Sequence, residues 1–214
     1  MKKRIFVSAT NTDIGKTYTA KLLLEAFAQR GYRVGAIKLI ETGVKTLAPD
    51  AQALLETVQK FNPEFANVSI EDIVPITYKL PAAPYIASNK KALDLTSLEK
   101  AVTKLESLCD ILIIEGAGGL YVPLDAKYMM IDMITHFQAK ALLVTHCALG
   151  CINDTLLSQR ALEERHIAYV TAFNCREGDE SFAAVSAPYF QDTQKNILKI
   201  SDNIDTICDV LYNL

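Results

Sequence analysis

Ser8-Ala9-Thr10-Asn11-Thr12-Asp13-Ile14-Gly15-Lys16-Thr17 leaves the apolar run Ile5-Phe6-Val7 and passes straight into a helical pattern. A strand, a short polar loop ending Gly-Lys-Thr and a helix together make the setting of a nucleotide-phosphate loop. In the pattern G-x-x-x-x-G-K-[ST] the last glycine lets backbone N–H groups close on phosphate oxygens. The lysine reaches the β- and γ-phosphates, and the hydroxyl holds Mg2+. Gly15, Lys16 and Thr17 fill those places, flanked by Asp13, Ile14 and Tyr18. The helix that starts here adds the positive end of its dipole, which favours an anion before any side chain is counted. Thr10 stands where the first glycine belongs.

Working outward, apolar runs rich in Ile and Val recur at residues 5–9, 34–39, 111–114, 141–145, 168–173 and 197–200. Such runs read as strands buried on both faces, the mark of a parallel sheet. Helical patterns lie between them at 17–29, 50–60, 98–108 and 153–165, with a C-terminal candidate at 203–213. This alternation predicts an α/β fold: a doubly wound, mostly parallel sheet with helices on both faces, in one domain over residues 1–214. Residues 61–92, with Pro63, Pro75, Pro81 and Pro84, resist the pattern and are expected to form a long irregular excursion over the sheet edge.

With 50% hydrophobic and 22% charged residues among 214, the chain has ample material for one core. A net charge of −3 without a concentrated basic face argues against a nucleic-acid partner, and Lys2-Lys3-Arg4 is too short to supply one. That basic start leads into the phosphate loop rather than a long apolar run, so it is not read as a secretory signal. The longest nearly uncharged stretch, residues 141–153, falls short of the ~20 residues of a spanning helix. The C-terminal helix carries Asp202, Asp205 and Asp209, so no membrane contact is expected. The five cysteines, Cys109, Cys147, Cys151, Cys175 and Cys208, are odd in number and form no Cys-x-x-Cys pair. They suit a reducing, cytoplasmic setting better than a disulfide framework or a zinc site, and read mostly as small core residues.

In doubly wound sheets, ligands collect beyond the carboxyl ends of the strands. Lys38 ends the second apolar run, with Thr42 and Gly43 just after it. Beside phosphate, such a lysine can neutralise charge that develops in phosphoryl transfer. Glu115 ends the third run and leads into Gly116-Ala117-Gly118-Gly119, small residues that let backbone approach a ligand. A carboxylate there suits Mg2+, which takes one or two carboxylates plus phosphate oxygens. Asp50 is either the second acid or an ordinary helix N-terminal acid. The fourth run leads to Leu149-Gly150-Cys151-Ile152-Asn153, a helix start that could hold a carboxylate or simply be capped by Asn153. Asn174 ends the fifth, an amide suited to a purine edge or to a structural turn.

Taken together, residues 10–17, Lys38 with Thr42-Gly43, Glu115-Gly116-Ala117-Gly118-Gly119-Leu120-Tyr121-Val122-Pro123-Leu124 and Gly150-Cys151-Ile152-Asn153 resemble the dethiobiotin synthetase family, over residues 4 to 175. The block from Glu115 discriminates, since phosphate-loop proteins in general share only the first motif. Pro81-Ala82-Ala83-Pro84 is similar to the family's proline-flanked substrate loop. The resemblance implies a P-loop NTPase-like fold and an ATP- and Mg2+-dependent cyclo-ligase of biotin biosynthesis. Its substrates would be 7,8-diaminopelargonate and CO2, closed to dethiobiotin through a carbamate and a carbamic-phosphoric anhydride, with ADP and phosphate released.

By that resemblance Lys16, Lys38 and Thr12 are catalytic. Asp13, Ile14, Gly15, Lys16, Thr17, Tyr18, Asp50, Glu115, Gly116, Ala117, Gly118 and Asn174 surround the nucleotide, and Thr17, Asp50 and Glu115 hold Mg2+. Thr42 meets the substrate, as do Gly150, Cys151, Ile152 and Asn153 contributed by a second subunit, hence a homodimer. The chain departs from the family at Ala9, Leu39 and Ala83, where glycine, proline and a hydroxyl residue are common; none of these removes a charged group. Asp154 beside the expected carboxylate site is awkward, since like charges repel. After Asn174 the family's base-binding segment is hard to find, so weaker discrimination among nucleoside triphosphates is expected. Partition- and septum-type ATPases resemble the chain in strand order, but carry a signature lysine where Asn11 stands. Cyclising ligases acting on larger acids such as corrins are a second rival.

Overall fold

The computed structural model describes residues 3–193 and 196–214; of the basic start, Lys2 lies outside them. In chain order the strands are β1 (Lys3–Ala9), β2 (Val34–Lys38), β3 (Ile40–Thr42), β4 (Ile76–Tyr78), β5 (Ile111–Gly119), β6 (Lys140–His146) and β7 (Tyr169–Asn174). Among the described residues, five form one sheet in the order β2-β5-β1-β6-β7, and each pairing is parallel. Residues 5–9 of β1 and 111–116 of β5 are buried without interruption. Successive strand residues face opposite sides, so both faces of the sheet are covered. The cover is helical: α1 (Lys16–Gln29), α2 (Pro49–Phe61), α3 (Ile70–Ile73), α4 (Pro84–Ala87), α5 (Leu95–Glu106), α6 (Met130–His136), α7 (Cys151–Glu164), α8 (Phe182–Val185), α9 (Ala187–Thr193) and α10 (Ile200–Asn213). None is long and apolar enough to cross a membrane.

The chain leaves β1 for the β2 edge, returns to β5, and then builds β6 and β7 on the other side. The tip of β1 is therefore the point where the strand order reverses, and doubly wound sheets bind ligands in that crevice.

Three sequence expectations change. Residues 61–92 are not structureless: they contain a 3-10 turn at Pro63–Phe65, α3, β4 and α4. Within them β4 pairs in parallel with β3, so the excursion is anchored to the segment that follows Lys38. Residues 197–200 do not form a sixth strand. Lys199 makes one bridge to Phe173, and Ile200 already begins α10, because Asn203 Oδ1 accepts the Lys199 N–H at 2.9 Å and starts the helix there.

The third change concerns cysteine. Cys147 and Cys175 form a disulfide, contrary to the expectation of thiols in a reducing setting. The cause is register: β6 and β7 end on the paired residues His146 and Asn174, so the next residues lie side by side with Cα atoms 4.9 Å apart. That separation is within the range a disulfide spans. Cys109, Cys151 and Cys208 are buried and take no part in the disulfide.

Candidate active site

Gly15 turns the loop into α1 with φ of 103°, a left-handed conformation that favours glycine. A Cβ there would lie 2.1 Å from Asn174 Nδ2, so loop and β7 tip meet only because this residue lacks a side chain. Asn174 Nδ2 donates to the Ile14 carbonyl at 2.8 Å, and Arg176 Nη2 donates to the Asp13 carbonyl. The β7 tip thus props the phosphate loop from behind. Lys16, buried, donates to the Asn11 carbonyl at 3.0 Å. Burial, followed by the like charge of Lys38, brings its pKa down to about 8.

Sheet register assembles the charged centre. Lys38 ends β2 directly opposite Glu115 of β5. Its ammonium donates to Glu115 Oε1 at 2.5 Å and to Asp50 Oδ2 at 2.7 Å, while Thr17 Oγ1 donates to Glu115 Oε1 at 2.8 Å. Burial works against the charge on Lys38, but Glu115 and Asp50 together push its pKa above the ordinary lysine value. Burial likewise opposes ionisation of Asp50, and Lys38 outweighs it, holding that carboxyl below the usual range. Glu115 is shut off from solvent, and its Oε2 has no hydrogen-bond partner among the described residues.

An unpartnered buried carboxylate oxygen, a second carboxylate and a threonine hydroxyl are hard oxygen donors of the kind Mg2+ takes beside phosphate. Among the described residues no three His, Cys, Asp or Glu side chains converge as an all-protein metal cage. The residues present fit a cation shared with a bound phosphate.

These groups line a cleft of about 620 Å3. Thr12, Asp13, Gly15, Lys16, Thr17 and Tyr18 line it, with Lys38, Thr42, Asp50, Glu115, Ala117, Gly118 and residues 81–84 among the others. Ile14, Gly116 and Asn174 stand outside the lining. So do Gly150, Cys151, Ile152 and Asn153, where Gly150 takes φ of 99° before α7 and the Cys151 side chain is buried. Asp154 is paired with His146, Oδ2 to Nε2 at 3.0 Å.

Two charged cleft residues were not singled out from sequence. Glu41, buried, accepts the N–H groups of Asp50 and Ala51 at 3.1 and 3.0 Å; burial raises its pKa and those two bonds oppose the rise. Its place next to Thr42, just past a strand end, was the available signal. Arg176 follows Asn174 by two residues and carried a similar one.

Comparison with known proteins separates fold from family. A sequence profile for an AAA domain matches residues 3–209. A plasmid partition protein from Borrelia burgdorferi superposes with a TM-score of 0.59 at 10% identity, covering 100% of this chain and 99% of that one. A ParA family ATPase from Chlorobium tepidum TLS gives 0.53 at 10% identity, with 100% and 93% covered. At such identities the likeness speaks to the fold alone. By sequence, the chain is 46% identical to the ATP-dependent dethiobiotin synthetase BioD of Sulfurovum sp. (strain NBC37-1), over 87% of this chain and 89% of that one. It is 36% identical to the enzyme of the same name from Wolinella succinogenes, over 99% of both. Similarity of that extent means that the chain belongs to the ATP-dependent dethiobiotin synthetase family.

Proposed function

We propose that this protein closes the ureido ring of dethiobiotin from 7,8-diaminopelargonate and CO2, consuming ATP and releasing ADP and phosphate, with the chain working as one domain. The observation that carries this reading is the cleft itself. Two lysines, Lys16 and Lys38, stand at the end where a phosphate loop meets Asp50 and Glu115, and Thr12 and Thr42 line the same space.

One amine of the substrate captures CO2 as a carbamate. A carbamate oxygen attacks the γ-phosphorus, ADP leaves, and a carbamic-phosphoric anhydride results. The second amine then attacks the carbamoyl carbon, phosphate leaves and the ring closes. Carbamate and triphosphate are both anionic, so their approach requires concentrated positive charge inside a site of low dielectric. Lys16 holds the β/γ-phosphate end, and Lys38 neutralises charge where the two anions meet. Thr12 and Thr42 donate hydroxyl hydrogen bonds to the carbamate. Thr17, Asp50 and Glu115 would hold Mg2+, which supplies further charge neutralisation at the phosphate oxygens.

The substrate's remote carboxylate is assigned to Gly150, Cys151, Ile152 and Asn153 of a second copy, since in their own subunit they stand outside the cleft lining. Tyr121, Leu149 and Leu157 are large apolar side chains left exposed, and Tyr121 and Leu157 line one groove with Asn11 and Asp154. A homodimer through this face would cover them. The reading includes a cytoplasmic setting, against which the Cys147–Cys175 disulfide counts, and no nucleic-acid or membrane partner, in keeping with the net charge of −3.

The test is direct. Purified protein given diaminopelargonate, bicarbonate, Mg2+ and ATP is expected to form dethiobiotin and ADP together, and ADP release indifferent to diaminopelargonate would refute the reading.

A further inference from the structure

Helix α2 begins without a cap of its own. Its N-cap residue is Ala48, which has no side chain able to accept a hydrogen bond, and Pro49 follows. A helix start leaves its first N–H groups unsatisfied, and Ser, Thr, Asp or Asn at the N-cap ordinarily takes one of them. Here the acceptor comes from another element. Glu41, at the centre of β3, sends one oxygen to the Asp50 N–H at 3.1 Å and the other to the Ala51 N–H at 3.0 Å. Glu41 is only 5% exposed. A carboxylate is kept there although burial disfavours it and the ammonium of Lys38 is already shared between Asp50 and Glu115.

The residue whose backbone Glu41 grips is Asp50, whose side chain meets Lys38 at 2.7 Å. The next residue after Glu41 is Thr42, and β3 pairs with β4 in a two-stranded sheet of its own. One carboxylate thereby ties the strand bearing Thr42 to the helix start bearing Asp50, and both residues line the cleft. We propose that Glu41 is a positioning residue for the cation site, fixing the first turn of α2 so that the Asp50 carboxylate stands where it and Glu115 hold one divalent cation. The proposal rests on the reading of Asp50 as a cation ligand. It assigns Glu41 no contact with substrate.

The experiment compares Glu41→Ala, Glu41→Gln and Asp50→Asn with the natural chain. Binding of Mn2+ to each protein–ADP complex is followed by loss of the free-ion EPR signal, a readout that needs no turnover. ADP binding in EDTA and the melting temperature are measured alongside. Residues that orient metal ligands affect metal affinity by about 10- to 100-fold when lost, so Glu41→Ala is expected to weaken Mn2+ about 10-fold while metal-free ADP binding stays within about twofold. Turnover recovers as Mg2+ is raised. Glu41→Gln keeps the side-chain length and one acceptor oxygen, so it serves if the alanine variant does not fold, and is expected to weaken Mn2+ about threefold. A mere helix-capping role lowers the melting temperature and leaves Mn2+ binding at the natural value; that result in either folded Glu41 variant, with Asp50→Asn impaired, overturns the proposal alone. Unchanged Mn2+ binding in Asp50→Asn overturns the ligand reading and the proposal with it.

Discussion

Lys38 and Glu115 are register partners across β2 and β5, and their charged atoms meet at 2.5 Å with both side chains buried. Parallel pairing places them on the same face, so the contact is set by the sheet rather than by a loop. Removing one member of a buried ion pair leaves an uncompensated charge, a loss of about 3–5 kcal/mol. Lys38→Met is therefore expected to destabilise the metal-free protein by that order in urea unfolding. Adding Glu115→Gln should recover much of it. Turnover of Lys38→Met should fall by about 100-fold or more, the effect of deleting one group aimed at developing charge. Near-normal turnover removes Lys38 from the reaction.

Lys16 makes phosphate binding sensitive to pH. Its pKa lies at about 8 in the free protein because burial and Lys38 disfavour the charge. Below that value Lys16 is already protonated, and a bound polyphosphate meets a full charge. Above it, binding must draw a proton in. Affinity for inorganic tripolyphosphate in EDTA should fall as pH rises past 8, approaching a tenfold loss per pH unit, about 1.4 kcal/mol. Calorimetry in two buffers of different ionisation heat should register uptake of about one proton on the alkaline side and almost none near neutrality. Equal uptake on both sides counts against this assignment.

The Cys147–Cys175 bond closes a loop across a sequence separation of 28. Constraining the unfolded chain over such a loop contributes about 2–4 kcal/mol. Reduction should lower stability by that order. Denatured protein should show three reactive thiols without reductant, those of Cys109, Cys151 and Cys208, and two more after reduction. Five thiols in unreduced protein would rule the bond out.

Asn174 spends Nδ2 on the Ile14 carbonyl, a contact with the loop backbone that every nucleoside triphosphate meets. Asn174→Ala is expected to raise KM for ATP and GTP together, by about 3- to 10-fold, the equivalent of one lost hydrogen bond. The natural chain should give comparable turnover curves for the two nucleotides. A strong ATP preference that vanishes in Asn174→Ala would instead make this amide a base reader.

Strand-end reasoning found Lys38, Glu115 and Asn174 because buried parallel strands are written as plain apolar runs, and their ends show where the runs stop. Glu41 escaped it: a lone glutamate between Ile40 and Thr42 reads as a solvated residue until a neighbouring helix with an alanine cap is seen to lean on it. The disulfide escaped for a related reason, since residues 147 and 175 become neighbours only through the register of two whole strands. Residues 197–200 went the other way. Their apolar run fits a strand or a helix start equally, and Asn203, several residues later, decides for the helix.

The cleft has one wall that is welded and one that is hung. On the β7 side, the disulfide, Asn174 and Arg176 bolt the strand tips to the phosphate loop. Residues 81–84 instead follow β4, a strand of three residues that is only partly buried and pairs with β3, also of three residues. Local opening concentrates where few buried contacts resist it. The stretch least held by buried structure is thus the one at residues 81–84, while the phosphate loop is braced by the β7 tip.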